Sequence, residues 1–393
     1  MYTNIKQDTS RLELKNFYPS QYKSTDSHAI NHNYLTEQFN DYGSIFKKIE
    51  AVVKRGDFTL GEAVDRFEGK FAELVGSKHA IGVGSGTDAL FLSLRALGIG
   101  QGDEVIVPTF TFYATVGAIV ASGATPVFAD SGHDYNIDPG RIESLVTRRT
   151  KAILPVHWAG KVCDMSEIGA IARKFGLHIV EDACHAVLAG FGNKKAGTFG
   201  DTGCFSMHPL KNLNVWGDGG IVVTNNDSIN HELRLLRNHG LKSRDHCERF
   251  GYNSRLDTVQ AVVAEHMLEK IEAITEKRIH NALYLDKQLG RMSGVQVPVR
   301  DLDIHRQVFH IYSLTFEKRD ELKLFLERKG IDAKIHYPKP IHLQPAAKKF
   351  VENSDEYPVA EQLARSTLSL PVHEFITEQQ LDFIVGAIKE FYS

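Results

Sequence analysis

The sequence is short of the features that mark several simpler functional classes. Only four cysteines, Cys163, Cys184, Cys204 and Cys247, occur in 393 residues, and no two form a C-x-x-C pair. That spacing excludes a disulfide framework and a zinc ribbon, and it suits a reducing compartment. Neither sign of charge is in excess, with 46 Lys+Arg against 49 Asp+Glu. Such a balance provides no basic face for nucleic acid and no acidic solvating tail. No apolar run is long enough to cross a bilayer, since the longest, around 114–127, is broken by Gly117 and Gly123. The opening MYTNIKQDTSRLELKN lacks the apolar stretch of a secretory signal. The expectation is a cytoplasmic soluble protein with no metal, no membrane and no nucleic-acid partner.

What is present fits an ordinary globular protein, 42% hydrophobic and 24% charged, long enough for two or three domains. Residues 1–40 read as a polar N-terminal arm. Two amphipathic helices follow, one through Ile45, Ile49, Val52 and Val53, the next through Val64, Phe67, Phe71 and Leu74. Strand candidates His79–Val83, Glu104–Val107, Thr125–Ala129, Ala152–Val156 and His178–Glu181 then alternate with helical patterns. Those patterns cover Thr87–Leu97, Phe112–Ala121, Arg141–Val146 and Glu167–Phe175. This alternation predicts an α/β domain with a mostly parallel sheet over 41–265. Ligands of such sheets gather at the carboxyl ends of the strands. A long helical stretch, Thr258–Leu285, leads into a smaller C-terminal α+β domain over 266–393. Its expected elements are strands at Phe309–Phe316 and Asp332–His336 and helices at Asp320–Lys329, Tyr357–Ser366 and Glu378–Tyr392.

Three segments carry chemistry. The first, Gly84-Ser85-Gly86-Thr87 between a strand and a helix, lets backbone N–H groups approach an anion. A dinucleotide fingerprint fits it poorly. The sixth position is Thr87, and Asp103 and Glu104 open the next strand where an acidic residue should close it. The second is the apolar strand ending in Glu181-Asp182, followed by Cys184-His185. A buried carboxylate needs a cationic partner, and a protonated heterocyclic nitrogen would serve. The third is Ser206-Met-His-Pro-Leu-Lys211, with a glycine run behind it. A lysine among apolar and small residues has a lowered pKa and becomes a nucleophile toward carbonyls, while Ser206 can donate to a phosphate. Anion turn, carboxylate, hydroxyl and Schiff-base lysine together are what pyridoxal 5'-phosphate needs.

The motifs GSGTDAL (84–90), GDEVIVPTFTFYAT (102–115), KAILPVHWAG (151–160), VEDACHA (180–186), SMHPLKNLNVWGDGG (206–220), GYNSRLD (251–257), KIHYPKPIHLQP (334–345) and LSLPVHEFIT (368–377) occur in this order. In them the chain resembles the DegT/DnrJ/StrS family of pyridoxal-phosphate-dependent sugar aminotransferases, with the aspartate-aminotransferase fold. The resemblance implies that Gly86 and Thr87, helped by Ser206, hold the cofactor phosphate. Phe112 would stack on the ring, Asp182 face the pyridine nitrogen, His185 contact the cofactor and Lys211 bond to it. Asn253 would reach the phosphate of a second subunit, making a homodimer with shared sites. His336, Tyr337 and His342 would face the sugar or nucleotide. Trp158, with His157, reads equally as substrate wall or packed core, and is carried as a candidate substrate residue. His310 reads as a core histidine. Trp216 is bulkier than the residue the resemblance leads one to expect.

The implied reaction moves an amino group from L-glutamate to a nucleotide-linked keto-sugar, a 3- or 4-keto-6-deoxy hexose, with a non-nucleotide, inosose-like cyclic ketone as the alternative acceptor. A dehydratase without net amino transfer is a rival, although sugar dehydratases of this family carry His where Lys211 stands. A regulator that binds cofactor without catalysis is another.

Overall fold

The computed structural model describes residues 28–32, 34–351 and 356–393; residues 1–27 of the expected arm lie outside that range. The chain runs through α1 (Leu35–Gln38), α2 (Tyr42–Arg55) and α3 (Glu62–Val75) before the first strand. The strands β1 (His79–Val83), β2 (Glu104–Pro108), β3 (Thr125–Ala129), β4 (Thr150–Ile153) and β5 (His178–Asp182) then alternate with α4 (Gly86–Ala96), α5 (Tyr113–Ser122) and α6 (Met165–Phe175). A short ribbon, β6 (Gly190–Phe191) and β7 (Lys194–Lys195), precedes β8 (Thr202–Ser206) and β9 (Gly220–Thr224). The sheet order is β1-β9-β8-β5-β4-β2-β3. Four pairings are parallel, and only β9 runs against its neighbours β8 and β1.

All five residues of β2, β8 and β9 are buried, as a sheet covered on both faces requires. The helices end where local chemistry stops them. Asp164 caps the start of α6 by accepting from Ser166 and Glu167 N–H, and left-handed Gly176 closes it. The 139–145 segment forms two 3-10 turns instead of the expected helix, with Pro139 leading the first and an extended Val146 ending the second. The fourth strand lies earlier than expected, over Thr150–Ile153.

After α7 (Asp227–Leu236) and a small hairpin, the stretch expected as one long helix divides into α8 (Thr258–Leu268) and α9 (Ile271–Leu289). Ile271 and Ile274 belong to the core under the large sheet, while Ala282, Leu285 and Leu289 join a second core. That second core lies against a three-stranded antiparallel sheet whose strands span 295–296, 312–316 and 367–370. Helices over 319–328 and 378–392 cover it, the latter opened by a Thr377/Gln380 capping box. The expected strand at 332–336 is only a single bridge between Lys334 and Ser369. Ile30 also enters this core, paired through its backbone with Gly330 and Asp332. No helix among the described residues is long and apolar enough to cross a membrane.

Candidate active site

The parallel strands of the large sheet deliver their following turns to one edge. After β1 the chain turns through Gly84-Ser85 into α4, where Ser85 Oγ accepts from Asp88 N–H at 3.1 Å. The first intrahelical bond, Ala89 N–H to Ser85 O, comes after Gly86 and Thr87. Their N–H groups therefore belong to the unpaired first turn, on the positive end of the helix. Gly86 is obligatory: a Cβ there would sit 2.6 Å from Ser206 Cβ and 3.0 Å from Cys184 Sγ. The turn, Ser206 and Cys184 thus touch, although they are far apart in sequence. Ser254 Oγ steadies the turn by donating to Asp88 at 2.8 Å and accepting from Gly84 N–H at 3.3 Å.

Asp182 closes β5 and is 5% exposed. Its carboxylate accepts from Thr115 Oγ1 at 2.8 Å and from Cys184 N–H at 3.2 Å. Thr115 lies in the first turn of α5 and is itself 2.8 Å from Thr111 Oγ1. Both partners of Asp182 are uncharged donors. Thr115 was not singled out in the sequence. Its presence three residues past Phe112 is a signal only once α5 is packed on β5.

Lys211 lies in the loop between β8 and β9, its N–H donating to His208 O at 2.8 Å. Among the described residues no hydrogen bond or ion pair holds its Nζ. Burial holds its ammonium below the ordinary lysine range, with Cys184 and the Asp182 carboxylate opposing that shift. Around it stand several histidines. His185 accepts weakly from Ala159 N–H, and its ring packs 4.5 Å from that of His310. Burial, then the charge of Lys211, pushes His185 well below the usual imidazole range. Burial and the neighbouring His185 and Lys211 do the same to His310. His336 is lowered to about 4 by burial, with Lys211 and Lys334 adding to it. These rings are therefore uncharged near neutrality. His310 has a hydrogen-bond partner in Asn212, next to Lys211.

Phe112 is 48% exposed beside Tyr337, with ring centroids 5.9 Å apart. Tyr337 in turn leans on Trp158 at 5.2 Å. Trp158 is only 1% exposed and meets Phe110, Tyr135 and His185 as well, so it backs the site as packed core. His342 is buried: Nδ1 lies 2.7 Å from Thr109 Oγ1 and Nε2 3.4 Å from Glu361. Both its nitrogens are committed, so it pins the 341–343 turn to the end of β2 and faces no open space. Asn253 is exposed, its backbone bridging to Asn238, and among the described residues no side-chain hydrogen bond joins it to the other candidates.

Residues 41–389 match the DegT/DnrJ/EryC1/StrS aminotransferase family. The chain is 42% identical over 347 residues to a UDP-N-acetyl-3-dehydro-alpha-D-glucosamine 3-aminotransferase of Acidithiobacillus ferrooxidans, covering 88% of this chain and 93% of that one. It is 39% identical over 361 residues to a Geobacillus stearothermophilus protein described as a pleiotropic regulatory protein, covering 91% and 97%. The crystal structure of S. venezuelae DesV in complex with a ketimine intermediate superposes with a TM-score of 0.90 at 38% identity, covering 93% and 98%. With its mostly parallel α/β sheet and these motifs, the chain belongs to the DegT/DnrJ/EryC1/StrS aminotransferase family.

Proposed function

We propose that the protein is a pyridoxal-phosphate-dependent aminotransferase that moves nitrogen from L-glutamate to a keto-sugar carried on a nucleotide. The observation that carries this reading is the gathering of Lys211, Asp182 and the Gly86 turn at one sheet edge. The residues fit the cofactor. The close approach of Gly86 to Ser206 leaves backbone N–H groups and a hydroxyl for a phosphate, and Asp182 has only neutral donors, leaving its charge for a pyridinium. When bound, pyridoxal phosphate supplies an electrophilic aldehyde carbon and an electron sink.

The chain's own groups do the rest. Gly86 and Thr87 N–H and Ser206 Oγ hold the phosphate, and Phe112 covers the ring. Asp182 keeps a proton on the ring nitrogen, and Thr115 and Cys184 N–H hold that carboxylate in place. Lys211 Nζ would bind the cofactor and, once displaced by the amino donor, would take the proton from the donor's Cα and deliver it to the cofactor's former aldehyde carbon. Low pKa matters here, because a protonated amine could do neither. His185 stays uncharged beside the lysine, and His336 and Tyr337 face the sugar. Asn253, exposed in its own chain, reaches the phosphate of a second copy in a cytoplasmic homodimer. The similarity to a UDP-sugar aminotransferase supports the nucleotide-linked acceptor. Lys211 itself weighs against both a dehydratase and a regulator without catalysis.

The test is the visible absorbance of the purified protein before and after L-glutamate is added without acceptor. A yellow protein that bleaches, and recovers its colour with a nucleotide-linked keto-sugar, is expected. A protein that takes up no cofactor would overturn the reading; one that binds cofactor but ignores glutamate would overturn the donor.

A further inference from the structure

We propose that Gln38, the last residue of α1, is a positioning residue for Lys211. It acts through Asn214 on the loop that carries the lysine and through Glu374 on the C-terminal unit. This inference rests on the role proposed above for Lys211.

Gln38 belongs to the polar arm, yet it is 4% exposed. A buried amide is costly unless its hydrogen bonds are made, and this one makes bonds at both ends. Nε2 donates to Glu374 Oε1 at 3.2 Å, and Oε1 accepts from Asn214 Nδ2 at 2.7 Å. A carboxylate can only accept, which fixes the amide the way round that leaves its oxygen for Asn214. Asn214 is fully buried, and the same Nδ2 also donates to Pro209 O. It therefore closes the turn from 209 to 214, within which Lys211 lies. Asn214 Oδ1 is enclosed and has no partner among the described residues, so the two acceptors on Nδ2 alone orient this side chain.

Asn212, the residue directly after Lys211, joins the same network. Asn212 Nδ2 donates to Val308 O at 3.2 Å, and its Oδ1 lies 3.3 Å from His310 Nδ1. Arg278 donates to Phe309 O at 3.1 Å and to His310 O at 3.4 Å, and its Nε lies 3.5 Å from Glu374 Oε2. Asn212, His310, Arg278, Glu374, Gln38 and Asn214 thus form a chain of polar groups whose two ends both lie just after the lysine, and Asn214 ties back to Pro209 before it. Backbone bonds from Met207 N–H to Gly219 O and from Val215 N–H to Met207 O close the base of the lysine loop, and these side chains brace its middle. Farther along the loop, Phe39 meets Trp216 edge-on at 5.6 Å, placing the bulky Trp216 against the arm.

The experiment uses full-length protein loaded with pyridoxal phosphate, comparing wild type, Gln38→Met, Asn214→Ala and the double variant. Three quantities are read: the pH midpoint of the cofactor absorbance, the single-turnover rate with L-glutamate, and thermal unfolding. Gln38→Met keeps the volume and removes both bonds. It is expected to move the absorbance midpoint and to slow the single turnover about 10- to 100-fold. The glutamate concentration giving half-maximal rate should change less than about twofold. Because both residues act on one loop, the double variant should be no slower than Asn214→Ala alone. A folded Gln38→Met protein with wild-type midpoint and rate would overturn the proposal, as would effects that multiply in the double variant. Should Gln38→Met not fold, Gln38→Glu decides. It keeps the acceptor for Asn214 but sets a second carboxylate against Glu374, so its rate should recover relative to wild type as pH is lowered; a constant ratio overturns the proposal. A wild-type protein that takes up no cofactor removes the functional reading, and this inference with it.

Discussion

The two faces of β5 treat adjacent carboxylates in opposite ways. On one face Glu181 is fully buried and accepts four hydrogen bonds: from His157 Nε2 and Gly197 N–H at 2.8 Å, and from Phe199 and Gly200 N–H at 2.7 Å. His157 is locked in turn, since its Nδ1 accepts from Cys163 N–H. On the other face Asp182 has two neutral donors, and the half-buried Lys211 stands nearby with no bond on its Nζ among the described residues. A carboxylate surrounded by four donors is spent on holding the fold. One with fewer partners, set where strands end, keeps capacity for a ligand. Burial alone does not distinguish them; the count and kind of donors does.

Substitution should separate the two faces. The largest effect is expected from Lys211→Ala, which abolishes amino transfer while circular dichroism and thermal unfolding stay close to wild type. Normal turnover in that variant would remove the lysine from the mechanism. Asp182→Asn should follow, lowering turnover about 10²–10³-fold by removing a preorganised charge, again with the fold intact. Glu181→Gln should do the reverse. An amide nitrogen there would confront two donors, costing about 2–6 kcal/mol of stability at ~1–3 each, with turnover per folded molecule preserved. Denaturant titration alongside activity reads both, and a catalytic loss without destabilisation would erase the contrast.

Thr115→Val is expected to be milder. It removes one hydrogen bond to a charged group, so turnover should fall roughly tenfold and cofactor should be held less tightly. The smallest effect concerns two buried histidines of the C-terminal part of the chain. His336 and His373 are each lowered from 6.5 to about 4, mainly by burial. Between those values the unfolded chain binds more protons than the folded one, so stability is lost as pH falls from about 6.5 toward 4. Thermal unfolding across that window should show this slope, and His373→Gln should reduce it by about one proton.

Much of the site was legible because its parts sit in short segments with strong local constraints. Gly86 is needed where backbone meets Ser206, and Asp182 and Lys211 stand in apolar runs that are unusual for charged residues. The parallel core of the fold was legible for a similar reason, from buried strands separated by helical patterns. Other residues were harder. Trp158 and His342 follow or approach strand ends, where an inward and an outward side chain give the same letters; packing turned both inward. The 332–336 segment has strand-like residues, yet only Lys334 finds a ladder partner. The long helical pattern from 258 conceals a break at 269–270, because Glu269 and Lys270 are good helix formers.

The amino-acid sequence by itself determined the α/β alternation, the strand-end turns and the order of motifs that mark the family, because these depend on periodicity and on residues close together in the chain. Which carboxylate is saturated, which histidine faces inward and what holds the lysine loop were decided only by the tertiary structure. Gln38 and Asn214 are 176 positions apart, and a hydrogen bond of 2.7 Å between them leaves no trace in local pattern. Such bonds exist only after distant elements have buried their apolar faces together and left polar groups no water to turn to.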